Sequence, residues 1–346
     1  MRSWHGPARP WSHCAMSEVY TALRNLPPSQ QVAALFIAVF GILALISVGA
    51  FLLTFHRRAE QDEDWREALR DFRKLLSTSW FMVVVFWVAW AAGTTVATVL
   101  FGLIAFFALR EFITLSPTRR GDHRSLVLAF FVVLPFQFWL AATRHFDLFT
   151  VFVPVYVFLA LPVASALGGD TQRFLERNAK LQWGIMVCIY GMSHVPALLL
   201  LDFGRPGWQG KGAFLVFFLV FVVQTCMVVQ HLLGRRMQQP PSIPGISSSF
   251  HWRNWAIGMA VGSLLGGVLA FITPFGPLRA AAMAFIACAA GSLGHLVMKA
   301  LKRDRGVPAW GHRASVTGAN GLLDRVDALC FSAPIFFHSV RWYASA

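Results

Sequence analysis

The chain has 346 residues, of which 56% are hydrophobic, 14% aromatic and only 13% charged. That balance excludes an ordinary soluble globular protein, and lipid must be its main solvent. The 30 Lys and Arg outnumber the 16 Asp and Glu. Such an excess suits contact with anionic headgroups or nucleotide phosphates, but membrane orientation alone accounts for it, and no nucleic-acid partner is expected.

Residues 1–30 are polar and hold Pro7, Pro10, Pro27 and Pro28. They lack the short apolar core and small-residue cleavage site of a secretory signal and read as a loose tail. A bilayer core needs about 20 apolar residues per helix, because every backbone polar group must be satisfied inside the segment. On that basis the first span is Gln31 to Phe55. Glu60 to Lys74 follows as a charged amphipathic helix with Trp65, Leu69 and Phe72 toward the membrane surface, an interfacial linker. The apolar stretch Trp80 to Leu109 is too long for one span and is broken by Gly93-Thr94-Thr95, so it reads as a hairpin of two short helices. The remaining spans are Ser125 to Thr143, Leu148 to Leu167, Gln182 to Leu201, Gly212 to Gly234, Trp255 to Pro274, Leu278 to Met298 and Val326 to Tyr343.

The fold class is therefore all-α, a polytopic integral membrane protein with about ten transmembrane helices. It is organised as the tail 1–30, a first span with its linker at 31–79, and a membrane domain at 80–346. Basic residues recur in alternate loops: Arg57, Arg58 and Arg66 to Lys74; Arg110 to Arg124; Arg173 to Lys180; Arg235, Arg236 and Arg253; and Lys299 to Arg325. Cationic loops collect in the cytoplasm. Ten crossings place every long polar loop there and both termini outside. Cys14, Cys188, Cys226, Cys288 and Cys330 are widely separated, without a C-x-x-C pair, so neither a disulfide framework nor a zinc site is expected.

Polar chemistry concentrates in Lys299 to Asp327, between the last two spans. Asp324 and Asp327, three apart at a helix start, share a face and could reach one cation. Helix starts favour carboxylates in any case, so a capping role stands beside the metal one. Gly318 and Gly321 allow tight turns that expose backbone N–H groups. Lys302, Arg303 and Arg305 could balance polyphosphate charge. A lone His in an apolar segment commonly hydrogen-bonds a neighbouring helix. Among His194, His295 and His338, His295 has the best functional claim, lying one turn before Lys299 and two before Lys302. A transporter would show ionisable residues at mid-membrane depth and paired internal repeats, and neither is evident.

The run L-K-R-D-R-G-V-x-x-W-G, followed by G-x-x-G-x-L-D-R-x-D and C-F-x-A-P-x-F-F-H, resembles the C-terminal signature of the phosphatidate cytidylyltransferase (CDP-diacylglycerol synthase) family. Supporting similarity runs through Leu109 to Phe112, Pro117 to Arg124, Phe152 to Tyr156 and Gly169 to Gly184, so it covers roughly residues 100–343. The resemblance implies a helical membrane enzyme of the inner membrane, with its signature loops facing the cytoplasm. It would join phosphatidate to CTP with magnesium, releasing pyrophosphate, in phospholipid biosynthesis. Phosphatidate, CTP and membrane lipids are the implied partners, with a homodimer left open. Carried across residue by residue, Lys302 and Arg303 would contact phosphates, Gly318 and Gly321 would shape the nucleotide loop, Asp324 and Asp327 would hold metal, and Arg325 would brace the loop. Asp304 is a weaker candidate.

Several positions depart from that pattern. Lys-Asp is replaced by Pro308-Ala309, Gly-His-Gly-Gly by Gly318-Ala319-Asn320-Gly321, and a membrane Ser-Asp pair by Cys226-Met227. In the loop Ser247 to Asn254 a lysine has become Phe250 and a carboxylate Arg253; further on, Gly-Asp-Leu reads Gly294-His295-Leu296 and a serine is Lys299. Two readings follow. One is a working cytidylyltransferase with an altered site; the other is a member that has lost catalysis and binds lipid or a partner.

Overall fold

The structure is a computed structural model that describes residues 26–56, 63–115, 118–202, 208, 210–236, 240–247, 250–307 and 321–345. Ten long helices account for most of the described residues: α1 (Pro28–His56), α2 (Glu63–Ala91), α3 (Thr94–Thr114), α4 (Arg120–Ala142), α5 (Phe146–Ala166), α6 (Phe174–Leu200), α7 (Gly212–Arg236), α8 (Trp252–Ile272), α9 (Pro277–Asp304) and α10 (Leu323–Ser345). Eight of them, α1 and α3 to α9, are long and apolar enough to cross a membrane. Helix α2 carries a shorter apolar stretch at Leu76–Ala91, and α10 completes the ten.

The chain separates into two compact units, residues 1–69 and 70–346. In the first, α1 is apolar around its circumference and exposes Ile37, Leu45, Phe51 and Leu52, as a helix does when its solvent is hydrocarbon. The second exposes large apolar side chains in the same way, among them Phe131, Leu159, Leu264 and Val268.

The break expected at Gly93 is present: Gly93 has φ 88°, a left-handed conformation that suits glycine, and separates α2 from α3. The two helices are not short. Helix α2 has 29 residues and α3 has 21, because the charged segment expected as a separate interfacial helix and the apolar run after it form one continuous α2. At 1.5 Å per residue, α2 is longer than the ~30 Å hydrocarbon layer, which leaves room for its polar first half beyond the apolar zone.

Helices α4, α5 and α6 each contain a wide π-turn, at Ala129–Val133, Phe152–Val157 and Ile185–Gly191. Each lies in or shortly before a stretch carrying a proline (Pro135, Pro154 and Pro196). Proline lacks an N–H and its ring crowds the preceding turn, and widening that turn relieves the clash. Helix α6 is the most enclosed of the spans.

At one end of this unit a polar network ties α4, α5 and α6 together. The buried Arg177 lies 3.1 Å from Asp122, forms an ion pair with Asp170, and donates to the Asp170 carbonyl at 2.8 Å. Ser125 and Ser165 are hydrogen-bonded at 2.8 Å, and Ser165 donates to Asn178 at 2.8 Å.

Close helix contact positions α7 to α10. On α8, Gly258, Gly262 and Gly266 recur every fourth residue, and a Cβ on them would meet Gln230 or Cys226 on α7 and Cys288 or Ala284 on α9 at 2.2–3.3 Å. Small residues at this spacing let helix backbones approach without side chains between them.

Candidate functional site

The polar ends of α7, α9 and α10, with the loop before α8, enclose a cavity of about 150 Å³. Its wall includes Met227, Gln230 and His231 from α7, Ser247 and Phe250 from the loop, His295 and Lys299 from α9, and Asp324, Arg325 and Asp327 from α10.

The loop is held by short-range bonds. The Ser242 N–H donates to the Phe250 carbonyl at 2.9 Å, Ser247 N–H to the Ile243 carbonyl at 2.9 Å, and Trp252 N–H to Ser242 Oγ at 3.2 Å. Helix α8 is then tied to α9 by Trp255 Nε1 donating to Ser292 Oγ at 2.9 Å. On α9, His295, Lys299 and Lys302 follow at helical spacing, so all three address α10 or the space beside it.

Helix α10 begins after Gly321, whose φ of 67° turns the chain into it. Its first N–H groups are received by the buried carboxylate of Glu111 on α3: Leu322 at 2.9 Å and Leu323 at 2.8 Å. A carboxylate at that end satisfies orphan donors and opposes the positive end of the helix dipole. Glu111 thereby fixes the register in which Asp324 and Asp327 meet α9.

The two aspartates share a face, as their spacing predicts, and both reach the cavity. Each is already engaged. Asp324 forms an ion pair with Lys302. The buried Asp327 accepts from His295 Nδ1 at 2.7 Å on one oxygen and from the Ala328 N–H at 2.6 Å on the other. Arg325 lies 5.2 Å from the centre of the Phe81 ring on α2, a cation–π contact.

Of the residues predicted from sequence, Asp324, Arg325 and Asp327 line one cavity, and Lys302 joins them through Asp324. Arg303 is exposed and points to the Pro244 carbonyl at 3.5 Å, and Asp304 is exposed beside Arg305. Gly321 supplies the turn into α10, while Gly318 lies outside the described residues. The cavity also brings Ser247 and Phe250 together with the α10 aspartates, as expected for two segments addressing one ligand.

Magnesium prefers oxygen ligands, one or two carboxylates completed by water and substrate phosphates. Here each oxygen of Asp327 already accepts a hydrogen bond, Asp324 is paired with Lys302, and no group of three His, Cys, Asp or Glu able to hold a metal occurs among the described residues. Met227 supplies a thioether to the wall, a poor ligand for a hard cation. This donor set does not fit a resident ion held by both aspartates.

Sequence reasoning missed the capping role of Glu111 and undervalued Lys299. For Glu111 no local signal exists, since its partner helix is 212 residues away. For Lys299 the signal is present: a lysine one turn from His295 at the polar end of a largely apolar helix.

Residues 73–343 match the cytidylyltransferase family. Over 277 residues the chain is 30% identical to the uncharacterized protein YnbB of Escherichia coli (strain K12), covering 77% of this chain and 86% of that protein.

Proposed function

Because the chain belongs to the cytidylyltransferase family, we propose that it transfers CMP from CTP to phosphatidate, giving CDP-diacylglycerol and pyrophosphate. The observation that supports this reading is the convergence of Asp324, Arg325 and Asp327 with Ser247 and Phe250 on one cavity at the polar ends of membrane-spanning helices. A lipid phosphate is confined to the headgroup plane, so a nucleotide site for it belongs at helix ends.

In the reaction a phosphatidate oxygen attacks the α-phosphorus of CTP. The new P–O bond forms as the bond to the β-phosphate breaks, and pyrophosphate leaves with that electron pair. Two anions must approach, and cationic side chains offset their repulsion and stabilise the leaving group. Lys299 and Arg325 line the cavity, and Lys302 is oriented by Asp324. The basic loops support an orientation in which the cavity faces the cytoplasm, and in an inner membrane that orientation gives access to CTP.

A second reading has its own support. Met227 and Phe250 are apolar parts of the wall, and the aspartates are paired internally, which suits a member that binds phosphate-bearing lipid without turnover.

The deciding experiment measures CTP-dependent formation of CDP-diacylglycerol by purified protein in detergent, with magnesium titrated from zero. Product formation is expected. Its absence at every magnesium concentration rejects the transferase reading in favour of the second. Cysteine labelling of positions 303–320 from the cytoplasmic side tests the orientation, and labelling from outside the cell would reverse it.

A further inference from the structure

We propose that Lys299 grips phosphate oxygens directly in this cavity, so that the site binds a diphosphate-sized anion without a resident divalent ion. The proposal rests on reading the cavity as the phosphate site of the function above, and it names the group that does the binding.

Among the described residues, Lys299 has neither a hydrogen bond nor an ion pair. The other charged groups of this wall are committed. Lys302 is paired with Asp324, His295 is bonded to Asp327, and Arg325 lies over Phe81. Lys299 is only partly exposed and stands on a helix whose apolar window is that of a membrane span. Burying that ammonium is costly, the nearby carboxylates of Asp327 and Asp324 offset the cost only in part, and an incoming anion offsets more of it. The cations Lys299, Lys302 and Arg325 outnumber the carboxylates Asp324 and Asp327, which leaves this region with a cationic surplus.

Size restricts the ligand. About 150 Å³ is below the range of roughly 300–1,000 Å³ in which whole drug-sized ligands are enclosed, and it suits one or two phosphate groups. The rest of a nucleotide or a lipid extends beyond the cavity. Lysine contacts phosphate as a point charge with three donors and needs no fixed fork geometry.

Inorganic pyrophosphate is the direct probe. Full-length protein in detergent is titrated calorimetrically with pyrophosphate in EDTA and again in magnesium. Binding is expected in EDTA, at an affinity within about threefold of that in magnesium. Lys299→Met should weaken it at least about tenfold, as expected for loss of one charged hydrogen bond, whereas Lys299→Arg should retain most of it. Binding that requires magnesium overturns the proposal, and that comparison uses wild type alone, so it stands even if a variant misfolds. Equal affinity in Lys299→Met and wild type also overturns it. Displacement of pyrophosphate by CTP assigns the site to the nucleotide, and displacement by phosphatidate in mixed micelles assigns it to the lipid phosphate; either supports direct binding. Pyrophosphate binding in EDTA without any CDP-diacylglycerol formation leaves this proposal standing and rejects the transferase reading.

Discussion

Glu111 and Leu323 are 212 positions apart in sequence and are joined by a 2.8 Å hydrogen bond from the Leu323 N–H to the Glu111 carboxylate. With its other oxygen on Leu322, Glu111 anchors the start of the helix that carries the aspartates. Glu111→Ala would leave two N–H groups without their acceptor. It should destabilise the protein by about 2–3 kcal/mol, the scale of charged hydrogen bonds at a helix start. Thermal unfolding in detergent reads this directly. An unchanged midpoint would show that α10 is held by packing alone.

The two helices of that contact were legible in sequence to different degrees. Apolar length and the Gly93 break announced α3, because a bilayer imposes its thickness on any crossing segment. Asp324 and Asp327 were legible as sharing a face, since helical spacing is local. Their partners were not. Whether an aspartate meets a metal, a lysine or a histidine depends on the register of α9 against α10, which Glu111 sets from a third helix. The join of the charged segment to the apolar part of α2 was hidden for another reason. Hydropathy changes there, but no helix-breaking residue interrupts the backbone from Glu63 to Ala91.

Asp170 links acid sensitivity to the α4–α6 network. The Arg177 side-chain hydrogen bond, and next the Gln172 N–H, hold its carboxyl below the ordinary carboxylate value of 3.8. A carboxyl depressed in the folded state contributes stability that is fully present above its unfolded pKa. That contribution is lost as pH falls through the lower folded value. Asp170→Asn should therefore lower the unfolding midpoint near neutral pH, and the gap to wild type should close below the ordinary carboxylate range. A gap independent of pH would assign the effect to packing.

Asp324→Asn separates binding from turnover. Its carboxylate orients Lys302 and also places negative charge on the wall proposed to receive anions. Removing that charge should leave KM for CTP unchanged or lower, while the loss of a fixed Lys302 should reduce kcat by about 10²-fold, the scale of one misplaced transition-state donor. A raised KM with kcat intact would instead mean that Asp324 serves only ground-state binding.

Restoring the substituted positions tests how the wall chooses between a protein cation and a metal. Met227 and Phe250 line the cavity, whereas Pro308 and Ala309 lie outside the described residues. Met227→Asp with Phe250→Lys, Pro308→Lys and Ala309→Asp adds two carboxylates and two cations to the protein. A hard cation gains affinity as carboxylate oxygens accumulate, so the fourfold variant should bind CTP more tightly in magnesium than in EDTA. Wild type should show little difference between the two. Met227→Asp alone places a carboxylate on the same wall as Asp324 and Asp327, and should account for most of any magnesium dependence. If calorimetry finds the same CTP affinity in magnesium and EDTA for the fourfold variant, these positions do not control metal use, and the internal pairing of Asp324 and Asp327 is what sets it.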